Sequence, residues 1–228
     1  MRPPETPVRS DRWYRDRVLM LLLLAGSAAS GKSTVLPHLH SMPSVVTHDF
    51  DEGGVPPGAD TAWRQQRLEQ WVQYAVQRQQ HGIDVVLAGQ SPLGELIACP
   101  SAPQLDSMAA VLIDVDDGTR LERLRRRDGT RWSPTQEAAF LGWAGWHRDH
   151  ATDPQRRQEV LTWGGWPPMC WQRWTSWQAG DPRWQVARID TMNVVVTDVA
   201  EQVHTALHRV RGSSGAWPLT GTALIDDA

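Results

Sequence analysis

Several things that would each point to a class of protein are scarce in this sequence. Only two cysteines, Cys99 and Cys170, occur in 228 residues. They form no metal-ligand spacing and no disulfide framework, and they suit a reducing, cytoplasmic setting. Neither sign of charge dominates, since 23 basic and 26 acidic residues leave a net charge of −3. No basic field therefore argues for nucleic acid or an acidic membrane as partner, and a small molecule is the more natural one. The apolar run from Val18 to Ala25 falls far below the ~20 residues that cross a bilayer. No internal repeat is found. Phenylalanine and tyrosine number two each, against thirteen tryptophans, nine of which lie between Trp132 and Trp184.

Directly after the apolar run stands GSAASGKST, residues 26 to 34. Arg12, Arg15 and Arg17 before the run and small residues after it give the layout of a secretory signal peptide. The same stretch matches G-x-x-x-x-G-K-[ST] through Gly26, Gly31, Lys32 and Ser33, the Walker A pattern. Cleavage after Ala28 or Ala29 would cut that loop apart, so the two readings exclude each other. The position between a buried-strand pattern and the helical STVLPHLH favours the phosphate loop and a chain that is not secreted. Backbone N–H groups from Gly26, Ser27, Ala28, Ala29, Ser30, Gly31, Lys32, Ser33 and Thr34 then face a phosphate at a helix N-terminus. Lys32 reaches the β- and γ-phosphates, and the Ser33 hydroxyl is placed for Mg²⁺.

Residues 1–17 are rich in proline and charge and read as a mobile arm, and residues 212–228 as a tail. Between them one domain, residues 18–211, alternates strands and helices. Strands are expected at 18–25, 44–48, 83–88, 109–115 and 184–189. Helices are expected at 31–40, 60–80, 119–127 and 196–210, with SPLGELIACPSAPQ as a loop. Residues 133–178 read as helical but broken by Gly164, Gly165, Pro167 and Pro168, within a tryptophan-rich lid or subdomain spanning about 130–180. Trp143 and Trp146, and Trp171, Trp174 and Trp177, recur every three residues, as one helix face against a core would. The expected fold is α/β, a three-layer P-loop NTPase arrangement with a five-stranded parallel sheet.

A phosphate loop alone does not separate ATPases, GTPases and kinases. The second strand ends in HDFDE, where alternation puts Asp49 and Asp51 on one side, beyond the carboxyl end of the sheet. A carboxylate there accepts a proton from an attacking hydroxyl or helps hold Mg²⁺. Asp49 is preferred as base, with Asp51 and Ser33 at the metal, although the pair leaves that division open. The third strand ends in AGQSP rather than in an acidic residue, which leaves Gln90 as the polar group aimed at the site and counts against hydrolytic chemistry. After the fourth strand, spacing of three and four places Arg120, Arg123 and Arg127 on one helix face, where guanidinium groups spread the charge of a transferring phosphoryl group. His147, His150 and Asp153 have helical spacing, but no further ligand supports a metal site among them.

The phosphate loop, the acidic pair and the arginine helix followed by a lid-like segment resemble the P-loop kinases of small molecules and nucleosides. That superfamily includes adenylate, shikimate and gluconate kinases and chloramphenicol phosphotransferase. The chain also resembles actinobacterial ATP-binding proteins with the same Gly-Gln after the third strand and a tryptophan-rich carboxyl half. The kinase resemblance implies ATP and Mg²⁺ as cofactors, Lys32 and Ser33 at ATP-Mg²⁺, Asp49 as catalytic base and Arg123 or Arg127 as lid arginines. It also implies Arg120 beside the nucleotide and residues 190–193 near adenine. The acceptor pocket falls to Trp63, Arg64 and Arg67, then Gln90 and Glu95, then Trp132, Trp143, Trp146 and His147. A polyol, nucleoside or natural product suits that mixture better than a bare carboxylate. The implied activity is transfer of the γ-phosphate of ATP to a hydroxyl; a regulatory NTPase or a non-catalytic ATP-binding module is the alternative. The sequence does not give the oligomeric state.

Overall fold

The computed structural model describes residues 18–40 and 42–212, so the expected arm at 1–17 and the tail beyond Gly212 lie outside the described residues. Five strands, β1 (Leu21–Ala25), β2 (Val45–Asp49), β3 (Asp84–Ala88), β4 (Met108–Asp114) and β5 (Val186–Asp190), form one sheet in the order β2-β3-β1-β4-β5. Every pairing is parallel. Such strands bury both faces, which is why β1 reads as unbroken LLLLA rather than as an alternation.

Alternate residues of β1 feed two different cores. Leu21, Leu23 and Ala25 pack with Leu68, Trp71, Val72 and Ala75 of α2 (Thr61–Gln79) and with Leu96 and Ile97 of α3 (Leu93–Ala98). Met20, just before the strand, joins Leu22 and Leu24 against Val35 and Leu39 of α1 (Lys32–Leu39) and Val199, Val203 and Leu207 of α7 (Val196–Gly212). Two further helices follow β4: α4 (Asp117–Asp128), capped by Asp116 and ended at Gly129, and α5 (Pro134–Thr152), opened by a capping box of Ser133 and Gln136. A short α6 (Glu159–Thr162) precedes the last strand. Among the described residues no helix is long and apolar enough to cross a membrane.

Three expectations change. SPLGELIACPSAPQ is not all loop: Pro92 starts α3, which is wholly buried. Trp171, Trp174 and Trp177 do not share an α-helix, because the chain there makes one 3-10 turn at Trp171–Arg173 and then coils. Beyond α5, only Glu159–Thr162 of the stretch ending at residue 178 is α-helical. The tryptophans reach the core through this irregular path. Trp146, Trp174, Trp177 and Trp184 all join the α2–α3 side of the sheet, and Trp174 is fully buried. The tryptophan-rich segment is thus packed into one layer of the fold. Trp163, 86% exposed, and Trp132, set against Phe140 and Asp128, are the exceptions.

Trp174 rests so closely on α3 that a Cβ on Gly94 would lie 2.7 Å from its Cζ2 and 3.2 Å from His150 Nε2. Gly94→Ala should therefore cost about 1–3 kcal/mol by overpacking. Gly142→Ala, exposed in α5 with nothing within 4 Å of the new methyl, should stabilise by roughly 0.5–1 kcal/mol. Thermal unfolding of the two variants checks this, and equal shifts would remove the Gly94–Trp174 contact as a packing constraint.

Candidate active site

The phosphate loop leaves β1 at Gly26, where φ is +149° and a Cβ would stand 2.3 Å from the carbonyl oxygen of Ile113 in β4. Only glycine permits that approach. Gly31, with φ +101°, turns the chain into α1. The loop is pinned from three sides. Ser27 Oγ donates to the Phe140 carbonyl of α5 (3.0 Å), Thr191 Oγ1 donates to the Ser30 carbonyl (2.9 Å), and Arg120 Nη1 donates to the Ala28 carbonyl (2.6 Å).

Lys32 is the single lysine in the sequence. Its Nζ folds back to donate to the carbonyls of Gly26 (2.6 Å) and Ser27 (2.9 Å) and to Ser30 Oγ (3.4 Å). Burial, and then the nearby Arg120 charge, lower its pKa from 10.5 to about 7, against the upward pull of Asp49 and Asp51. A bound polyphosphate would add anionic acceptors for this amine.

Across the loop, β2 delivers its two acids. Phe50 between them is buried, its N–H donating to the Ala88 carbonyl of β3 (2.8 Å) and its own carbonyl accepting from Trp71 Nε1 (3.2 Å). That lock turns Asp49 and Asp51 together into the cavity, as alternation predicts. The Ser33 hydroxyl donates to Asp49 Oδ2 at 2.5 Å, and the Asp51 N–H donates to Asp49 Oδ1 at 3.1 Å. The Asp51 carboxyl is pushed above its ordinary pKa, first by burial and then by the neighbouring Asp49 charge. A hydroxyl and two carboxylates are the hard oxygen donors that Mg²⁺ takes, so these residues fit the ion.

The arginine helix divides its labour. Arg123, Arg126 and Arg127 line the cavity. Arg123 also grips the loop after β5, donating from Nη1 to Thr191 Oγ1 and from Nη2 to the Thr191 carbonyl, both at 2.8 Å. Arg127 pairs with Asp128 at 2.7 Å. Arg120, expected beside the nucleotide, is instead wholly buried beneath the loop, where Nη2 meets Asp114 Oδ1 at 2.5 Å. Gly26 and Ser27 likewise lie below the cavity lining, which begins at Ala28. Asp114 also takes Arg148 (2.7 Å) and Arg188 (3.0 Å), so one buried carboxylate ties α4, α5 and β5 under the phosphate loop. Sequence reasoning missed Asp114 and Arg126 as site residues and reached Thr191 only as part of the 190–193 segment. Asp114 had a signal in its place at the end of a buried strand.

At the carboxyl end of β3, Gln90 is exposed and lines the cavity, while its carbonyl accepts from His147 Nε2 at 3.0 Å. Burial holds the His147 pKa well below 6.5, so its ring is neutral and the proton on Nε2 is fixed by this bond. Trp63 and Arg64, expected at the acceptor, are not in the lining. Trp63 packs edge-on to Phe50, and Arg64 clamps the buried Glu95 (Nε–Oε2 3.0 Å, Nη2–Oε1 2.6 Å) beneath the Trp143 ring system. Trp143 and Trp146 stack at 4.8 Å, and His147 and His150 lie against them as aromatic neighbours.

The cavity holds about 660 Å³ and runs from Asp49, Asp51 and Gln90, past the phosphate loop, to Thr191, Val194, Val196 and Val199. Its far end includes Thr191 from the segment expected near adenine, and its size suits a nucleotide with a small second substrate. Because Lys32 is the sole lysine, an amine-acylating reagent should label it with a midpoint near pH 7, the lowered pKa making the neutral amine available there. ATP-Mg²⁺ should protect it severalfold, as read by peptide mass spectrometry. A midpoint near the ordinary 10.5 would contradict the burial of Nζ.

No protein-family model and no curated protein matches the sequence. Solved structures do match in shape. A sugar kinase from Janibacter sp. HTCC2649 superposes with a TM-score of 0.53 at 12% identity, covering 84% of this chain and 95% of its own. A gluconokinase from Sinorhizobium meliloti 1021 gives 0.50 at 16% identity, covering 85% and 93%. A shikimate kinase from Acinetobacter baumannii gives 0.50 at 14% identity, covering 86% and 96%. The chain has the three-layer α/β fold of the P-loop kinases.

Proposed function

We propose that this protein transfers the γ-phosphoryl group of ATP to a hydroxyl of a small molecule. The observation that carries the proposal is the hydrogen bond from Ser33 to Asp49, with Asp51 and Gln90 beside it in the cavity that the phosphate loop lines. A regulatory switch or passive nucleotide holder has no need of a second acid facing its phosphates.

In this reading the N–H groups of Ala28 to Thr34 cradle the β- and γ-phosphates, and Lys32 swings from the carbonyls of Gly26 and Ser27 onto them. Ser33 and Asp49 would hold Mg²⁺, which when bound neutralises charge on the β- and γ-oxygens. Asp51 then takes the proton from the attacking hydroxyl, exchanging the two roles expected from alternation alone. Its raised pKa makes it the better proton acceptor, and the Ser33 bond already commits Asp49. Gln90 orients the acceptor hydroxyl. Arg126 and Arg127 spread the charge of the transferring group, and Arg123 fixes the loop that borders the base end.

The test measures ADP formation with a library of hydroxyl compounds, reading phosphorylated products by mass, and then compares two variants on the acceptor found. Asp51→Asn should cut kcat by about 10² to 10⁴ while ATP affinity stays within a few-fold. Asp49→Asn should raise the Mg²⁺ requirement roughly 10- to 100-fold. A kcat loss confined to Asp49→Asn, with the Mg²⁺ requirement unchanged, would return the base role to Asp49. Full activity in both variants would remove both acids from the chemistry, and ATP binding with no phosphorylated product from any acceptor would end the kinase proposal.

A further inference from the structure

Charge is distributed unevenly along the cavity. Lys32, Arg123, Arg126 and Arg127 line it along the phosphate loop and α4, and the charges of Lys32 and Arg67 reach Asp51. Asp49, Asp51 and the neutral amide of Gln90 line it where β2 and β3 end, and in the kinase reading the acceptor sits there for its hydroxyl to meet the γ-phosphate.

The arginines nearest that end are already engaged. Arg64 is spent on Glu95, which is fully buried and also accepts from Gln65 Nε2 at 3.1 Å. Arg67 donates to the Glu52 carbonyl (2.5 Å) and Gln70 Oε1 (3.1 Å), with its guanidinium over the Trp71 ring at 5.0 Å. His147 is committed through Nε2 to the Gln90 carbonyl.

Recognition of a carboxylate or phosphate on the acceptor would need a free fork of donors, as arginine supplies. Removing Arg64 from Glu95 would strand a buried carboxylate, which is strongly unfavourable. Carboxylates and an amide are instead suited to hydroxyl and ammonium groups, which donate to them. Building on the kinase reading above, we propose that the acceptor is an alcohol that bears no anionic group, either a neutral polyol or an amino alcohol.

The sign of the potential can be measured without knowing the acceptor. In a Cys170→Ser background, Gln90→Cys places a thiol on the cavity wall, while Cys99 remains buried. With a non-hydrolysable ATP analogue and Mg²⁺ bound, rates with cationic, neutral and anionic methanethiosulfonates are each divided by the rate with free cysteine. The cationic reagent should react about tenfold or more faster than the anionic one, in line with the focusing of field in clefts lined by one sign of charge. Asp51→Asn should reduce that preference severalfold. A ratio at or below one would overturn the inference, even if phosphoryl transfer is found. Conversely, the expected ratio in a protein that phosphorylates nothing would sink the kinase reading and leave the charge assignment standing. As a second reading, a hydroxy acid phosphorylated as efficiently as the neutral alcohol of the same skeleton would also overturn it.

Discussion

The buried pair of Arg120 and Asp114 sits where the rest of the site has to be assembled. Arg120 joins the end of β4 to the Ala28 carbonyl, so the phosphate loop rests on a charged strut rather than on apolar packing. Arg148 and Arg188 converge on the same carboxylate from α5 and β5. Buried ion pairs contribute little net stability, because desolvation offsets most of the attraction. What they do supply is position: Arg120 satisfies a loop carbonyl from beneath, which leaves the N–H groups free to face the cavity. Gly26 completes the arrangement by letting the backbone touch Ile113.

With the loop fixed, charge is sorted by distance from it. The cations gather where a triphosphate would lie, and the two acids at the mouth of β2 face them across Ser33. The amine of Lys32 turns inward on the carbonyls of Gly26 and Ser27. The aromatic layer is separate from this chemistry. Trp146, Trp174, Trp177 and Trp184 thicken one side of the sheet, and their rigid packing holds α3 and α5, which carry Glu95 and His147. Glu95 and His147 are therefore held by elements that belong to the core.

Much of this was readable in the sequence wherever the signal is local. The phosphate loop is a contiguous motif whose residue types follow from phosphate geometry, and β1 declares itself by apolar residues on both faces. The pairing of Asp49 with Asp51 follows from strand alternation, with Phe50 between them taking the core position. What stayed hidden depends on residues far apart in the chain. Helical spacing put Arg120 and Arg123 on one face but could not show that Asp114 consumes the first and Thr191 the second. Glu95 claims Arg64 from 31 residues away. The every-third tryptophans imitated a helix because a 3-10 turn and coil brought them to the core by another path. Alternation also could not show that Ser33 bonds to Asp49.

The most direct measurement follows the phosphate itself. ATP labelled in its γ-phosphate would be incubated with the protein, Mg²⁺ and a total small-molecule cell extract, and nucleotides removed before chromatography. The account predicts label in a new organic phosphate, lost in Lys32→Ala. Label that appears only as inorganic phosphate, or that stays in ATP bound by the protein, would contradict it.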